Sequence, residues 1–346
     1  MKIAIVGAGF FGTTSAIILA KKHKVHLYEK ENDIFLGASK KNQLRFHLGY
    51  HYPRSIKTVD EIKKNYNQFI NFFGEKIFGN TKNLYGVAAN NSKTTYDDYI
   101  KFLKKNKLDY KKTKDKNFSK QVNGKILSSE KNLNYFKAKK IILKKLKNKN
   151  IKIYYKTLFT KRFIEDYDKI IIATYENNNS ILKELGIKII NKYKYELIEK
   201  IIIKLPNKLK NKSYMIIDGD FICLDPYVGT KFHLLSDVKN SKIEILKSKY
   251  PNFKNFKKKY LNLGVVKNKR ISNFKKFIKH GTIYLPFLVK AKYIGSYYTT
   301  RTVKINKEKT DERLNQIVKN NKKIISIFSG KWNTCFGIAK ELNKLI

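Results

Sequence analysis

Apolar residues recur along the chain with two spacings, one typical of buried strands and the other of helices. The β-branched run over Lys2–Val6 predicts a strand, and residues 13–22 carry apolar positions at helical spacing. A second strand is predicted over Lys24–Tyr28, and a glycine-rich turn separates the first strand from the helix. The order of strand, tight turn, helix and strand predicts the start of an α/β domain.

The alternation continues through most of the chain. Helices are predicted over residues 58–73, 95–105, 132–146 and 334–346, and further strands over 80–89, 151–155, 169–173 and 324–328. Residues 111–120 have almost no apolar anchor, which predicts a surface loop. Between residues 193 and 224 the strands are separated by turn residues with no long helix, which predicts an antiparallel sheet. Residues 241–280 predict charged helical segments, and residues 283–296 predict a strand.

Length and composition limit the classes of protein to consider. The 346 residues are enough for two domains, and the 42% hydrophobic content is that of a folded chain. The chain has no run of eighteen apolar residues, and glycines interrupt the apolar start, so neither a membrane span nor a signal peptide is predicted. Cys223 and Cys335 lie far apart without matched histidines, which predicts neither disulfide nor metal site and fits the cytoplasm.

The formal net charge of +48 comes from 75 Lys and Arg against 27 Asp and Glu. Nucleic-acid surfaces favour arginine, whereas lysine dominates here and is enriched together with Asn and Ile, all of which have A/T-rich codons. We therefore interpret the charge as compositional and expect no specific nucleic acid as partner. Peripheral contact with an anionic membrane and nucleic-acid binding stay open as alternatives.

A GxGxxG pattern occupies the turn between the first strand and the helix. Gly7 permits the tight turn, Gly9 lets a pyrophosphate approach the backbone, and Gly12 allows close packing of helix on strand. The helix start then presents free N–H groups to the anion. Glu29 ends the second strand, where a carboxylate accepts hydrogen bonds from the ribose hydroxyls of an adenosine. These features together predict binding of a dinucleotide.

The segments beyond Glu29 decide which dinucleotide. Residues 37–39 read Gly-Ala-Ser, and residues 42–52 carry Asn42, His47, Gly49 and Tyr52. With these residues the sequence resembles the D-amino-acid oxidase-like (DAO) family of FAD-dependent oxidoreductases, nearest to its L-2-hydroxyglutarate dehydrogenase and glycine oxidase branch. The strand ending at Ala173 and Thr174, and the final strand, glycine turn and helix, are similar to the family pattern. Tyr175 departs from it, because the family has glycine at that place.

The resemblance implies a fold, a domain division and FAD as the cofactor. We expect a Rossmann-like FAD-binding domain, with a central parallel sheet, flanking helices and a small antiparallel sheet, over residues 1–80, 125–185 and 295–346. An α+β substrate domain on an antiparallel sheet is expected over 81–124 and 186–294. The residues expected to contact FAD are Gly7, Gly9, Phe10, Phe11, Gly12, Glu29, Lys30, Ala38, Ser39, Asn42, Arg45, His47, Ala173, Thr174, Gly330, Lys331 and Trp332.

Candidate catalytic residues follow from residue type and place. A neutral imidazole of His47 or His51 can accept a proton from a substrate hydroxyl or amine near pH 7. Either histidine could instead be a packing residue or a covalent tether to the flavin. Arg45 and Arg301 are two of only six arginines, and the resemblance makes Arg301 a carboxylate-binding residue, with a surface ion pair to an acid at 311–312 as the alternative. Tyr50 is a candidate for the pocket wall.

The sequence therefore predicts oxidation of a CH–OH or CH–NH group of a small, anionic substrate by hydride transfer to flavin N5, without a metal. A sugar or nucleotide-sugar substrate, a nicotinamide-dependent dehydrogenase and a nucleic-acid-binding protein are the alternatives. The electron acceptor, oxygen or a quinone-linked carrier, and the oligomeric state are left open.

Overall fold

The computed structural model describes residues 1–307 and 309–346. Its α-helices in this part of the chain are α1 (Phe10–Leu19), α2 (Ile56–Phe73), α3 (Tyr96–Lys105), α4 (Tyr135–Lys145), α5 (Asn178–Glu184), α6 (Phe274–Tyr284) and α7 (Cys335–Leu345). Its strands are β1 (Lys2–Val6), β2 (Lys24–Tyr28), β3 (Arg45–Phe46), β4 (Lys82–Ala88), β5 (Tyr110–Lys112), β6 (Val122–Ser128), β7 (Lys131–Asn132), β8 (Ile151–Tyr154), β9 (Lys169–Ile172), β10 (Tyr193–Lys204), β11 (Lys212–Ile217), β12 (Ile222–Pro226), β13 (His233–Asp237), β14 (Lys242–Ser248), β15 (Lys292–Val303), β16 (Gln316–Lys319) and β17 (Ile324–Phe328).

The first sheet is the predicted parallel one. Its order is β16-β17-β9-β1-β2-β8, and each adjacent pair is parallel except β16 with β17. The central strands are apolar on both faces, as a parallel sheet covered by helices requires. Helices α1 and α7 pack against each other, so the two ends of the sequence meet on one face of this sheet. The mixed α/β fold class is confirmed.

The second sheet runs β14-β10-β13-β12-β11-β4-β6-β5, with β15 along the other edge of β10. It is antiparallel as predicted, except that β11 and β4 are parallel. A two-stranded antiparallel ribbon, β3 with β7, lies apart from both sheets.

Two element predictions are wrong. Residues 242–248 form strand β14 instead of a helix, because alternate residues of this segment face inward and β10 supplies a strand partner. Residues 283–291 are not a strand: α6 continues to Tyr284 and a 3-10 turn follows, because Gly281 and Leu288 pack together in the core. The strand of this region starts at Lys292. The segment predicted as a loop over 111–120 begins inside the short strand β5.

The two sheets enclose one large cavity of about 700 Å³. The glycine turn, residues 29–31 and residues 173–177 line it from the first sheet, and residues of β10, β12 and β15 line it from the second. Strands β6 and β15 belong to the second sheet, so the boundaries predicted at residues 125 and 295 fall inside strands of that sheet. The domain division itself stays a prediction. Among the described residues, no helix is both long and apolar enough to cross a membrane.

Candidate active site

The glycine turn lies where β1 ends, at the edge of the parallel sheet where ligands of such folds bind. Gly7 has φ of +100°, and a Cβ there would lie 2.7 Å from the carbonyl oxygen of Ala173. A Cβ on Gly12 would lie 1.8 Å from the carbonyl oxygen of Gly7. The turn therefore has no room for a side chain at either of these two positions. It leaves the start of α1 open toward the cavity.

Glu29 ends β2 beside this turn. Its carboxylate accepts hydrogen bonds from the backbone N–H of Ala8 at 2.7 Å and of Glu31 at 3.0 Å. These bonds fix the side chain at the cavity wall. Lys30, the next residue, also lines the cavity and lies 3.8 Å from Glu31 in an exposed ion pair.

The Gly-Ala-Ser loop passes in front of α1. The backbone N–H of Phe10 donates to the hydroxyl of Ser39 at 3.1 Å. Asn42 donates to the carbonyls of Ala38 and Ser39, so its amide shapes the loop. The side chain of Lys41 is buried. This burial and, after it, the charge of Lys40 lower the pKa of Lys41 to about 8.

The turn after β9 carries the departure from the family pattern. Tyr175 adopts φ of +56°, the left-handed region that costs a non-glycine residue roughly 1–2 kcal/mol. Its ring packs into the site and its hydroxyl reaches strand β15, where the backbone N–H of Thr302 donates to it at 2.8 Å. Ala173 and Thr174 line the cavity beside it. The turn keeps the conformation that glycine favours, although the residue is a tyrosine.

The segment after β17 closes the cavity on the opposite side. The backbone N–H of Gly330 donates to Asn315 at 2.7 Å, and Trp332 stacks on Phe10 with ring centroids 5.1 Å apart. Phe11, like Phe10, is buried and lines the cavity. The ammonium of Lys331 lies 4.9 Å from the centre of the Tyr52 ring. Burial and the charge of Arg313 lower the pKa of Lys331 to about 7.

His47 and His51 are brought together in the cavity wall, with ring centroids 5.7 Å apart. Burial lowers the pKa of His47 to about 4, helped by the charge of Lys331, and lowers that of His51 to about 3. Both imidazoles are therefore neutral near pH 7. Nδ1 of His47 lies 3.7 Å from the carboxylate of Glu130, and Asn333 donates to the backbone carbonyl of His47 at 2.9 Å.

Glu130 is fully buried, and its carboxylate accepts from Arg45 at 3.2 Å, from the Tyr85 hydroxyl and from the backbone N–H of Leu48. Burial by itself would raise the pKa of Glu130, but His47, Arg45 and Tyr85 hold it at about 2. The acid stays ionised beside His47. No feature of its sequence neighbourhood marks Glu130 as part of a site.

Arg45 lies between two buried carboxylates rather than free in the cavity. Besides Glu130, its guanidinium donates to Asp225 at 2.7 Å and to the hydroxyl of Ser213. Tyr50 is buried among the second sheet's residues, donates to the Asp109 carbonyl and does not line the cavity. Tyr50 thus lies behind the cavity wall, whereas Arg45 lines the cavity with its guanidinium held by the two carboxylates. The predicted roles of both residues stay predictions.

Arg301 lines the cavity from strand β15. The register of β15 with β10 places Glu196 directly opposite, and Nε of Arg301 donates to this buried carboxylate. The alternative of a surface ion pair is wrong, because Asp311 pairs with Arg313 and Glu312 lies 3.0 Å from Lys307. The two Nη atoms of Arg301 make no hydrogen bond to another residue in ranges 1–307 and 309–346.

Charged groups at this end of the cavity that were not predicted as site residues include Lys200, Asp311 and Arg313; the acid at 311 was considered only as a surface partner of Arg301. Arg313 carried a usable signal, since it is one of the six arginines. Lys200 and Asp311 carried no such signal. Lysines are frequent throughout the chain, and the charged groups around Asp311 come near it only in the folded protein.

Comparisons with known proteins fit this geometry. Residues 2–157 match the model of the family described as DAO, FAD dependent oxidoreductase. The match covers 156 of the 346 residues, so this amino-terminal part of the chain is similar to the DAO family. The FAD prediction is confirmed with it, and the nicotinamide alternative is wrong.

Three proteins that are similar to this chain add to the family match. The FAD-dependent monooxygenase kojA of Aspergillus flavus is 35% identical over 86 residues, 25% of this chain and only about a fifth of that relative's length. Glycine oxidase from Geobacillus kaustophilus has a similar fold, with TM-score 0.69, 12% identity and coverage of 99% of this chain and 93% of that one. L-α-glycerophosphate oxidase from Mycoplasma pneumoniae, with FAD bound, has TM-score 0.72, 13% identity and coverage of 99% and 94%.

The cavity fits the cofactor of the DAO family. The glycine turn leaves open a cradle that a Cβ at Gly9 would narrow, since it would lie 3.0 Å from the Ser39 hydroxyl. Glu29 offers a carboxylate for ribose hydroxyls, and buried polar atoms without a partner in the described chain, such as the Tyr52 hydroxyl and Nδ1 of His51, lie at the other end. The predicted cofactor contacts line the cavity with the exception of Gly12, which packs against the Gly7 carbonyl.

Proposed function

We propose that the protein oxidises a CH–OH or CH–NH group of a small anionic molecule with FAD as cofactor. When bound, FAD supplies a two-electron acceptor that takes hydride at N5. The observation that carries the proposal is that the dinucleotide cradle is continuous with a wall that holds two neutral histidines and the cations Arg301, Arg313 and Lys331.

We assign proton removal to His47. Its low pKa keeps the imidazole neutral over the physiological range, so it can accept the proton of a substrate hydroxyl or amine. The ionised Glu130 beside Nδ1 favours the tautomer with hydrogen on Nδ1, which leaves Nε2 as the acceptor. Glu130 acts here as a positioning residue through His47.

We assign substrate orientation to Arg301. Glu196 holds its Nε, so the fork is fixed in direction while its Nη atoms are free for an anion. Lys331 and Arg313 add positive charge at the same end, and Asp311 offsets part of it. A carboxylate or a phosphate would be recognised by these groups. Glycine oxidase is named for a carboxylate that carries a CH–NH group, and glycerophosphate oxidase for a phosphate that carries a CH–OH group. The two names support carboxylates and phosphates as the first substrate classes to test.

The test starts with the cofactor. The purified protein is denatured, and flavin in supernatant and pellet is identified by absorption and chromatography. We expect FAD in the supernatant; flavin retained in the pellet would indicate a covalent link. A protein that neither contains FAD nor takes it up would overturn the proposed function.

The FAD-loaded protein is then screened anaerobically for bleaching by amino acids, 2-hydroxy acids, glycerol phosphates, sugars and nucleotide-sugars. We expect bleaching by an anionic substrate, slowed about 10²-fold or more in His47→Gln and less in the matched variant His51→Gln. Bleaching by neutral sugars alone would contradict the anionic class. Reoxidation by oxygen or by a soluble quinone then identifies the acceptor, and addition of anionic vesicles tests the alternative of peripheral membrane contact.

A further inference from the structure

The turn after β9 and strand β15 are joined by one side chain. The hydroxyl of Tyr175 donates to the backbone carbonyl of Thr302 at 3.1 Å and accepts from the backbone N–H of the same residue at 2.8 Å. One phenol thus satisfies both polar groups of a residue on the outer edge of β15, as a neighbouring strand would.

The rest of that edge is covered differently. Residues 261–266 pair with β15 at Ser296 and Tyr298, and the backbone N–H of Asn262 donates to Tyr298 at 3.1 Å. Toward the carboxyl end of β15 this segment has left the edge, and Tyr175 takes its place. The neighbour of Tyr175, Glu176, accepts from the side chain of Asn262 at 3.2 Å, so the same turn contacts both parts of the edge.

The position of this contact gives it a functional meaning. Thr302 directly follows Arg301, whose guanidinium is fixed on the other side by Glu196. The turn that holds Tyr175 lies beside Ala173 and Gly7, in the cofactor-binding half of the cavity. A non-glycine residue is kept in the left-handed region at this place, which requires compensation by its contacts.

We propose that Tyr175 is a positioning residue that sets the location of Arg301 relative to the cofactor by clamping the backbone of Thr302. The role rests on the proposed function, in which Arg301 binds the anionic group of the substrate. Tyr175 acts through the strand and does not itself contact the substrate's anion.

The direct test of the clamp is amide hydrogen exchange in the protein as purified and after FAD loading. Tyr175→Phe removes only the hydroxyl. We expect the amide of Thr302 to lose protection at least tenfold, with amides of β1 and β9 unchanged. The matched control is Tyr195→Phe, because Tyr195 is buried on the strand opposite Thr302 and its hydroxyl donates to the Lys249 carbonyl at 3.0 Å. Unchanged protection of Thr302 in Tyr175→Phe would overturn the clamp.

The functional test is a double-mutant cycle with Arg301→Met, using benzoate as a carboxylate that cannot be oxidised and the flavin absorption as the signal. We expect Tyr175→Phe to raise the benzoate Kd about tenfold in the native background and less than twofold in the Arg301→Met background, with the FAD Kd within threefold. Tyr195→Phe should leave both values within twofold. An equal loss of benzoate affinity in both backgrounds, or a loss of FAD affinity alone, would overturn the proposal.

Tyr175→Gly serves where Tyr175→Phe fails to fold, because glycine adopts the left-handed conformation freely and lacks the hydroxyl. It should behave as Tyr175→Phe does in both tests. A native protein that binds no FAD refutes the proposed function, whereas a native protein that binds FAD and benzoate with no effect of either Tyr175 variant refutes only the positioning role.

Discussion

The single residues of the site divide into those that face the cavity and those that hold them from behind. His47 faces the cavity, while the Glu130 carboxylate lies 3.7 Å from Nδ1 of its ring and Asn333 holds its backbone carbonyl. Arg301 faces it, while Glu196 fixes the guanidinium. A buried carboxylate therefore lies behind each of these two side chains, and in the case of Arg301 it fixes the guanidinium by a hydrogen bond.

Lys331 provides a residue-scale prediction. Burial and nearby cations lower its pKa to about 7, so it is charged below pH 7 and neutral above. We expect the Kd for benzoate to rise several-fold between pH 6.5 and pH 8.5, measured by flavin absorption on the FAD-loaded protein. Lys331→Arg should remove this dependence, because arginine stays charged throughout. The same pH dependence in that variant would assign it to another group.

At the scale of elements, the unit of β1, α1 and β2 is the part of the fold that the sequence predicted best. The glycines and the buried β-branched run act locally, so their meaning is readable without knowing the neighbours. Strand β14 was missed because its partner β10 lies some fifty residues earlier and its lysines mask the alternation. Glu130 and Asp311 were missed for the same reason, since their roles come from side chains that only folding brings near.

The glycine turn gives an element-scale prediction with a matched control. Gly12→Ala places a Cβ 1.8 Å from the Gly7 carbonyl oxygen, so the turn must open. We expect loss of FAD binding by more than 100-fold and a Tm several degrees lower, followed by flavin fluorescence and thermal unfolding.

Gly37→Ala is the control for that variant, because Gly37 lines the same cavity and a Cβ there meets no atom within 4 Å. Its FAD Kd should stay within threefold. A Gly12→Ala protein that binds FAD as tightly as Gly37→Ala would show that close packing of helix on strand is dispensable here.

For the whole molecule, the two sheets act as the walls of one site, and groups buried between them link stability to pH. His47 has a pKa of about 4 when folded and an ordinary value near 6.5 when unfolded. The unfolded chain therefore binds more protons as the pH falls below 6.5, and stability is lost progressively from there down to about pH 4.

We expect the free energy of unfolding to fall by about 2 kcal/mol between pH 7 and pH 5 through His47 alone. Urea unfolding of the native protein and of His47→Asn at both pH values measures it. The variant should lose less stability over this interval than the native protein. Equal losses would mean that His47 is protonated in the folded state already at pH 5.

The hydrogen bond from Asn333 to the carbonyl of His47 has a consequence for biosynthesis. Asn333 follows His47 by 286 positions, so both residues must have emerged from the ribosome before this hydrogen bond can form. Strand β17 must likewise join β9 before the parallel sheet is complete. A nascent chain that already carries the whole glycine turn is thus still unable to finish its coenzyme pocket. Because residues 327–332 line the cavity, the complete pocket exists only after nearly the whole sequence has been synthesised.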